Sequence, residues 1–204
     1  MKKWYSKYLQ VYEKPFSYAP AAVVEEVRGK LAGLQSEQPL VTVSLIGYNE
    51  ERHLLACLWS LIEMQCRYPV EIIGVDNESK DRTAEIYRAT GVPYYTETRH
   101  SCGFARLCGL NHARGKYHIN IDSDTLYPPR YVETMVEALE RPGIVAVSSL
   151  WSYIPDKEHS WLGHGAERLG QPLPPGRRRS LHGQPAAGTA GTGEIGRASC
   201  RERV

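Results

Sequence analysis

The stretch "LVTVSLIGYNEERHLLACLWSLIEMQ", residues 40–65, contains both patterns from which the fold can be predicted. Its first eight residues form a short apolar run rich in β-branched side chains, which is typical of a buried strand. Leucines then recur at helical spacing after the polar residues "YNEE", and Asn49 stands where a helix N-cap would stand. The stretch therefore predicts one strand followed by one amphipathic helix.

The same alternation continues to about residue 150. A short helix is predicted around residues 83–90, with Gly91 ending it. Strands that alternate with helices of this length favour crossover connections and a mainly parallel sheet covered on both faces. We therefore predict a three-layer α/β/α fold. The further strand candidates are "VEIIGV" at 70–75, "VPYYTE" at 92–97, "YHINID" at 117–122 and "GIVAVSSL" at 143–150.

Composition divides the chain into three parts. Residues 1–39 form a predicted helical preface in which Pro20 takes the first helical position. Residues 40–163 form the α/β body. Residues 164–204 contain no Phe, Trp or Tyr and no apolar period, so they are predicted to be disordered. The last eleven residues, "EIGRASCRERV", read like a translated sequencing adapter, which predicts a non-native, out-of-frame tail on a body truncated after Gly163. An ordinary disordered linker is the alternative.

Composition also limits the class of protein. With 42% hydrophobic and 24% charged residues, no apolar run of about 18 residues and no secretory signal, the chain is predicted to be cytoplasmic. Any peripheral association would be with the inner face of the membrane. Five cysteines without a CxxC pair fit reduced thiols better than disulfides or a zinc site. Because seven arginines lie in residues 164–204, the rest of the chain is slightly acidic and gives no electrostatic reason to expect nucleic acid.

Two carboxylates follow the predicted strand "YHINID". If extended geometry continues through "IDSD", the pleat directs Asp122 and Asp124 to the same side. Two such carboxylates repel each other unless a cation lies near them, and Mg²⁺ or Mn²⁺ with a nucleotide diphosphate would supply one. The alternative is structural: Asp122 would be a turn residue and Asp124 a helix cap.

Four motifs resemble those of family 2 glycosyltransferases with a GT-A fold, in the same order and at similar spacing. They cover residues 40 to about 150 and read "VTVSLIGYNEE", "EIIGVDNESKDRTAEI", "GFARLCGLNHARGKY" and "INIDSDTLYPPRYVETMVEAL". The resemblance implies a transferase that takes a sugar from a UDP- or GDP-linked donor. It implies transfer to an acceptor hydroxyl on a sugar or a lipid-linked acceptor, Mg²⁺ or Mn²⁺ as cofactor, and a place in polysaccharide or glycolipid synthesis.

The resemblance also implies the roles of particular residues. Asp76 would contact the nucleobase, with Asn77 beside it, and Arg106 would lie near the diphosphate. Asp122 would engage the ribose, and Asp122 and Asp124 together would hold the metal. The residues that would line the nucleoside pocket are Ile46, Gly47, Tyr48 and Glu50.

The chain departs from the family pattern in two motifs. Ile46 and Gly47 stand where the family has Pro-Thr or Pro-Ala, and Glu78 replaces the glycine of "DDGS", which is expected to alter that turn. His118 and Asn120 are unusual inside a buried strand and are predicted to be hydrogen-bonded structural residues rather than ligands.

No catalytic residue can be assigned from the sequence. Inverting transfer needs a general base, which the family places well downstream of the DxD pair, and no later acidic residue lies in a matching motif. We therefore expect an inverting transferase whose 204-residue form is inactive. The alternatives are a nucleotide-sugar-binding module without catalysis and a retaining GT-A transferase.

Overall fold

The structure, a computed structural model, describes residues 3–150 and the strand Gly196–Ser199. Strands and helices alternate from residue 41 onward, as the apolar periodicity predicts. The helices are α1 Ala21–Leu34, α2 Leu54–Leu61, α3 Thr83–Thr90, α4 Cys102–His112 and α5 Tyr131–Leu139. The strands are β1 Val41–Gly47, β2 Val70–Asp76, β3 Tyr94–Thr96, β4 Tyr117–Asp122, β5 Ala146–Val147 and β6 Gly196–Ser199.

The sheet is parallel throughout, with the strand order β3-β2-β1-β4-β6-β5. Every residue of β1 and β2 is buried, as expected for central strands covered on both faces. Tyr87 of α3 packs against Gly74 on one face, while Gly109 of α4 approaches Ser44 and Val75 on the other. The predicted three-layer α/β fold with a parallel sheet is therefore confirmed.

The preface contains one α-helix rather than being helical throughout. Pro20 directly precedes α1, whose Val23, Val27 and Leu31 are buried at the predicted helical spacing. The preceding described residues form two short 3₁₀ turns, at Tyr8–Gln10 and Phe16–Tyr18. Buried side chains of the first turn region join the main core, so the preface is part of the packed domain.

The start of α2 differs from the sequence prediction. Asn49 does not cap this helix, which begins at Leu54. It instead has a left-handed backbone with φ of 56°, and its Oδ1 accepts a hydrogen bond from the N–H of Lys80. The Asn49 side chain, which the local sequence pattern predicts as a cap of α2, therefore bonds to the loop after β2. By contrast, α3 ends at Gly91, with φ of 76°, as predicted.

The polar residues inside β4 have different environments. His118 is fully buried and its Nε2 lies 2.9 Å from Ser44 Oγ, which agrees with a hydrogen-bonded structural role. Asn120 Oδ1 is also buried but accepts no hydrogen bond from the residues that the structure describes. The prediction that Asn120 is a hydrogen-bonded residue is therefore not met at its Oδ1.

One strand comes from the segment that was predicted to contain none. Gly196–Ser199 pairs with β4 and β5, although its sequence has no apolar alternation. The unpaired N–H and C=O groups along the edge strand of a sheet can pair with any extended segment, whatever its side-chain pattern. The predicted boundary at Gly163 and the rest of residues 164–204 lie outside the described residues. Within the described part, no helix has the length and apolar character needed to cross a bilayer.

Candidate functional site

The strand order places a crevice between the carboxyl ends of β1 and β4. The chain moves outward from β1 through β2 to β3 and then returns to β4 on the other side of β1, which makes this a topological switch point. Ligands of open parallel sheets bind in such crevices. Ile46 is in register with Asp122, and Gly47 with Asp76, so these predicted site residues lie together at the carboxyl ends of the strands.

Asp122 and Asp124 are placed by a strand end and a turn, not by a continuous pleat. Strand β4 ends at Asp122, so the extended geometry behind the sequence argument stops before Asp124. Ser123 Oγ donates to the Ile46 carbonyl at 2.8 Å, which ties the turn to β1. The Tyr127 hydroxyl lies 3.0 Å from the Asp122 nitrogen and 3.2 Å from its carbonyl oxygen. The turn is therefore held from both sides.

The two carboxylates nevertheless share one neighbourhood, as Cys57 of α2 shows. Burial raises the pKa of this thiol well above its ordinary value, and the negative charges of Asp124 and Asp122 raise it further. Its Sγ lies 3.8 Å from the Asp122 carbonyl oxygen. The Cys57 thiol therefore stays neutral near the acidic pair, because a thiolate there would be poorly solvated and repelled.

Arg106 of α4 supplies a positive charge to the pair. Its Nη2 lies 3.3 Å from Asp122 Oδ1, and the Arg106 and Asp122 side chains are 22% and 25% exposed. Arg106 Nε is buried and has no hydrogen-bond partner within the described part of the chain. The family resemblance implies that this arginine lies near a diphosphate. In the structure it pairs with Asp122, so part of the charge repulsion is relieved without a metal.

The side chains at the end of β1 differ in accessibility. Ile46 is buried in a small apolar cluster with Val75 and two α4 residues, and a Cβ on Gly47 would lie 3.2 Å from Ser123 Oγ. Tyr48 is half exposed. Glu50 Oε2 lies 2.7 Å from His53 Nδ1. Of the predicted pocket residues, Tyr48 thus presents the most open surface to a ligand.

The loops after β1 and β2 brace each other. The backbone nitrogens of Asn49, Glu50 and Glu51 donate to side-chain oxygens of Ser79, Thr83 and Asp81 at 2.8–2.9 Å. Asp76 is buried, and its Oδ1 accepts from the Ser79 nitrogen at 3.2 Å. These contacts join the loops after β1 and β2 into one rim of the crevice.

Asn77 holds a neighbouring segment in place. Its Nδ2 donates to the carbonyls of Glu97 and Arg99 at 2.6 and 2.9 Å, and its Oδ1 accepts from the Ser101 nitrogen at 3.1 Å. Hydrogen bonds from the Arg99 side chain and backbone, together with its charge, lower the pKa of Glu97 to about 2. The amide that was expected beside the nucleobase is thus occupied by residues 97–101.

That segment brings a residue to the rim that the sequence did not single out. His100 Nε2 lies 3.0 Å from Glu78 Oε2, and its ring centroid is 5.7 Å from that of Tyr48. Glu78 itself has φ of 59°, the left-handed conformation that favours glycine. Glu78 thus adopts a glycine-like backbone. Nothing in the local pattern around His100 indicates this contact, because the two residues are brought together by the Asn77 hydrogen bonds.

The donor set at the crevice suits a hard divalent cation. Among the described residues, no group of three or more His, Cys, Asp or Glu side chains could enclose a metal. Mg²⁺ and Mn²⁺ are commonly held by one or two carboxylates, with substrate phosphates and water completing the shell. Asp122 and Asp124 therefore fit a metal that also needs a phosphate ligand.

A surface cavity near the amino ends of the strands is separate from this site. It is lined by residues that include Gln35, Cys66, Tyr68 and Val70, near the amino end of β2. The polar side chains described above gather at the carboxyl ends of the strands. The crevice is thus the candidate functional site.

Comparison with known proteins adds a family and several relatives. The sequence profile described as Glycosyl transferase family 2 matches residues 42–198. An uncharacterized glycosyltransferase of Rickettsia prowazekii is 30% identical over 105 residues, which are 50% of this chain and 33% of that protein. Undecaprenyl-phosphate 4-deoxy-4-formamido-L-arabinose transferase of Edwardsiella ictaluri is 31% identical over 140 residues, 63% of this chain and 41% of that protein. The matches therefore span well under half of these relatives.

Among solved structures, a mannosyltransferase from Pyrobaculum calidifontis in complex with GDP-Man and Mn²⁺ is similar. Its TM-score is 0.50 at 21% identity, covering 63% of this chain and 47% of that chain. Mycobacterium tuberculosis glucosyl-3-phosphoglycerate synthase, in complex with Mn²⁺, UDP and its product, gives 0.48 at 24% identity, covering 65% and 50%. The first likeness agrees with the predicted GT-A type of fold.

Proposed function

The chain belongs to glycosyl transferase family 2, and we propose that its crevice binds a nucleoside diphosphate sugar for transfer of the sugar to an acceptor hydroxyl. The observation that carries this proposal is the Arg106–Asp122 ion pair at the switch point of the sheet, with Asp124 two residues further on and, like Asp122, close enough to raise the pKa of Cys57. Carboxylates and a guanidinium at this place suit a ribose, a metal and a diphosphate.

The metal is proposed to be Mg²⁺ or Mn²⁺, held by Asp122 and Asp124. Bound there, it would neutralise charge on the diphosphate leaving group. Arg106 would then divide its charge between Asp122 and the diphosphate, because its side chain stays partly exposed beside that carboxylate.

The nucleoside is proposed to lie across the ends of β1 and β2. Tyr48 offers an exposed ring, and Asp76 offers a carboxylate for a nucleobase N–H, with Ile46, Gly47 and Glu50 behind them. Asn77 supports this side indirectly, since its amide holds residues 97–101. The acceptor is proposed to be a sugar or a lipid-linked acceptor, and the undecaprenyl-phosphate in the name of the Edwardsiella relative, which is a lipid phosphate, supports the lipid-linked form.

Binding measurements test the donor site. UDP and GDP are titrated into the chain by calorimetry, with Mn²⁺ or with EDTA. We expect binding that depends on Mn²⁺, and a large loss of the Mn²⁺-dependent part in Asp124→Asn, because one of the two protein ligands is weakened. Glu25→Gln, which removes one negative charge from an exposed position on α1, is the control. Equal affinity in EDTA would contradict the metal role.

A second comparison separates the two residues at the end of β2. Asp76→Ala is expected to weaken nucleotide binding by about 1.5 to 3 kcal/mol, the range for a hydrogen bond to a charged group. Asn77→Ala is expected to weaken it less, and through loss of order in residues 97–101. Unchanged affinity in Asp76→Ala would remove this carboxylate from the site.

Turnover separates a transferase from a binding module. We propose an inverting reaction, for which a general base must take the acceptor proton; a retaining mechanism is the alternative, since a DxD pair serves both. Because the sequence after β5 offers no acidic residue that can be assigned as this base, the 204-residue chain is proposed to bind donor without transferring sugar. A mass-spectrometric acceptor assay with UDP- and GDP-sugars tests this, and robust transfer would contradict it.

A further inference from the structure

The N-terminal preface reaches the candidate metal site, although it precedes the part of the chain that matches the family profile. That match begins at residue 42. The Tyr12 hydroxyl donates a hydrogen bond of 2.9 Å to the main-chain carbonyl of Asp124. The contact joins residues that are 112 positions apart in sequence.

Tyr12 also contacts the first loop of the crevice. Its ring centroid lies 5.0 Å from that of His53, whose Nδ1 is 2.7 Å from Glu50 Oε2. One side chain of the preface therefore touches the turn after β4 and, through His53, the loop after β1. These are the two loops that border the switch point.

The rest of the preface fixes Tyr12 in this place. Tyr8 and Val11 are 2% and 4% exposed and belong to the main core. The Tyr8 ring packs edge-on against Trp59 at 5.5 Å, and its hydroxyl donates to Glu63 at 2.8 Å. Phe16, which follows Tyr12 in the sequence of the preface, also contacts the body: its ring centroid lies 5.0 Å from the Arg82 guanidinium. Tyr12 is thus held between two sets of contacts with the body.

We propose that Tyr12 is a positioning residue that sets the Asp124 carboxylate for binding of the divalent cation, an inference that rests on the proposed function. A metal ligand must be held to within about half an ångström of its working geometry, and this requires support for its backbone. Asp124 lies in a turn beyond the end of β4, where its carboxylate accepts a hydrogen bond from Thr125 Oγ1 at 3.1 Å. The hydrogen bond from Tyr12 to its carbonyl provides such support.

The test is Tyr12→Phe in the full chain, which removes the hydroxyl and keeps the ring against His53. We expect the Mn²⁺ concentration that gives half-maximal UDP or GDP binding to rise about fivefold, the effect of losing one ordinary hydrogen bond. Affinity measured in EDTA should stay as in the parent chain. Tyr18→Phe, at a residue that is 76% exposed in the same preface, is the matched control.

A second measurement does not depend on nucleotide. Amide hydrogen exchange at residues 123–126 should become faster in Tyr12→Phe, while exchange in β2 and the melting temperature stay close to the parent values. A residue with a general structural role would lower protection throughout the domain, and that result would contradict positioning.

The possible failures are distinguishable. Absence of nucleotide binding by the parent chain overturns the proposed function and, with it, this inference. Nucleotide binding whose Mn²⁺ dependence is the same in the parent chain and in Tyr12→Phe overturns this inference alone.

Discussion

At the scale of single residues, the partners of the site residues carry more information than their identities. Asp122 was expected from its position after a strand, but its ion pair with Arg106 explains how an acidic pair is tolerated beside the buried Cys57 thiol. Asn77 was expected next to a nucleobase, and its amide instead organises residues 97–101. A residue type therefore indicates the chemistry available, while its contacts decide where that chemistry is used.

Glu78 gives a prediction at this scale. An L-residue in the left-handed region costs about 1 to 2 kcal/mol, and the half-exposed contact between Glu78 and His100 recovers at most about 1 kcal/mol. Glu78→Gly is therefore expected to raise the free energy of unfolding by up to about 1 kcal/mol, and thermal or urea denaturation measures it.

Gly91→Ala is the matched reverse substitution. Gly91 has φ of 76°, and an added Cβ would approach only Arg28 Cγ, at 3.8 Å, so the change introduces backbone strain with little steric conflict. It should lower stability by a similar amount. A loss of stability in Glu78→Gly would show instead that the His100 contact outweighs the strain.

At the scale of elements, residues 97–101 act as a short strap between β3 and α4. The strap depends on Asn77 and on the Glu97 carboxylate, which accepts three hydrogen bonds from Arg99 at 2.7–2.9 Å. Because the strap carries His100, its order determines the shape of the rim beside Tyr48. An irregular segment can thus be as well defined as a helix when buried polar groups support it.

The pKa of Glu97 predicts how this strap responds to acid. Its folded-state pKa, about 2, lies below the ordinary value of 4.5, so the carboxylate stabilises the fold above about pH 4.5. That contribution is lost as the pH falls from about 4.5 toward 2. Protection of the strap amides in hydrogen exchange should decline over this interval, and Glu97→Gln should remove the dependence. An NMR titration of Glu97 with a midpoint near 4.5 would contradict the assignment.

At the scale of the whole molecule, segments from both ends of the chain are added to the parallel sheet and its helices. The preface contributes core side chains and Tyr12, and Gly196–Ser199 extends the sheet beyond β4. The two additions differ physically. The preface buries large aromatic and aliphatic groups, whereas "GRAS" has no large apolar side chain and joins the sheet through its backbone.

Deletion of residues 193–204 tests that difference. We expect the amides of β4 that face the deleted strand to exchange faster, because they lose their pairing. The melting temperature should fall by less than about 3 °C, since little apolar surface is lost and 1 kcal/mol corresponds to about 2–4 °C at this size. A larger fall would show that the C-terminal residues contribute to the core, against the composition of the segment.

Local sequence determined the strands β1 to β5, most of the helices and the chemical types gathered at the strand ends, but not β6. Apolar periodicity and β-branched runs act over a few residues, so β1, β2 and α3 could be read from short stretches, as could the acidic pair after β4. The tertiary structure alone decided that Tyr12 supports Asp124, that Arg106 pairs with Asp122 and that Asn77 holds the strap. Each of these contacts joins residues 16 to 112 positions apart. No local pattern encodes such contacts, because they exist only once packing of the sheet and helices has fixed the distances between them.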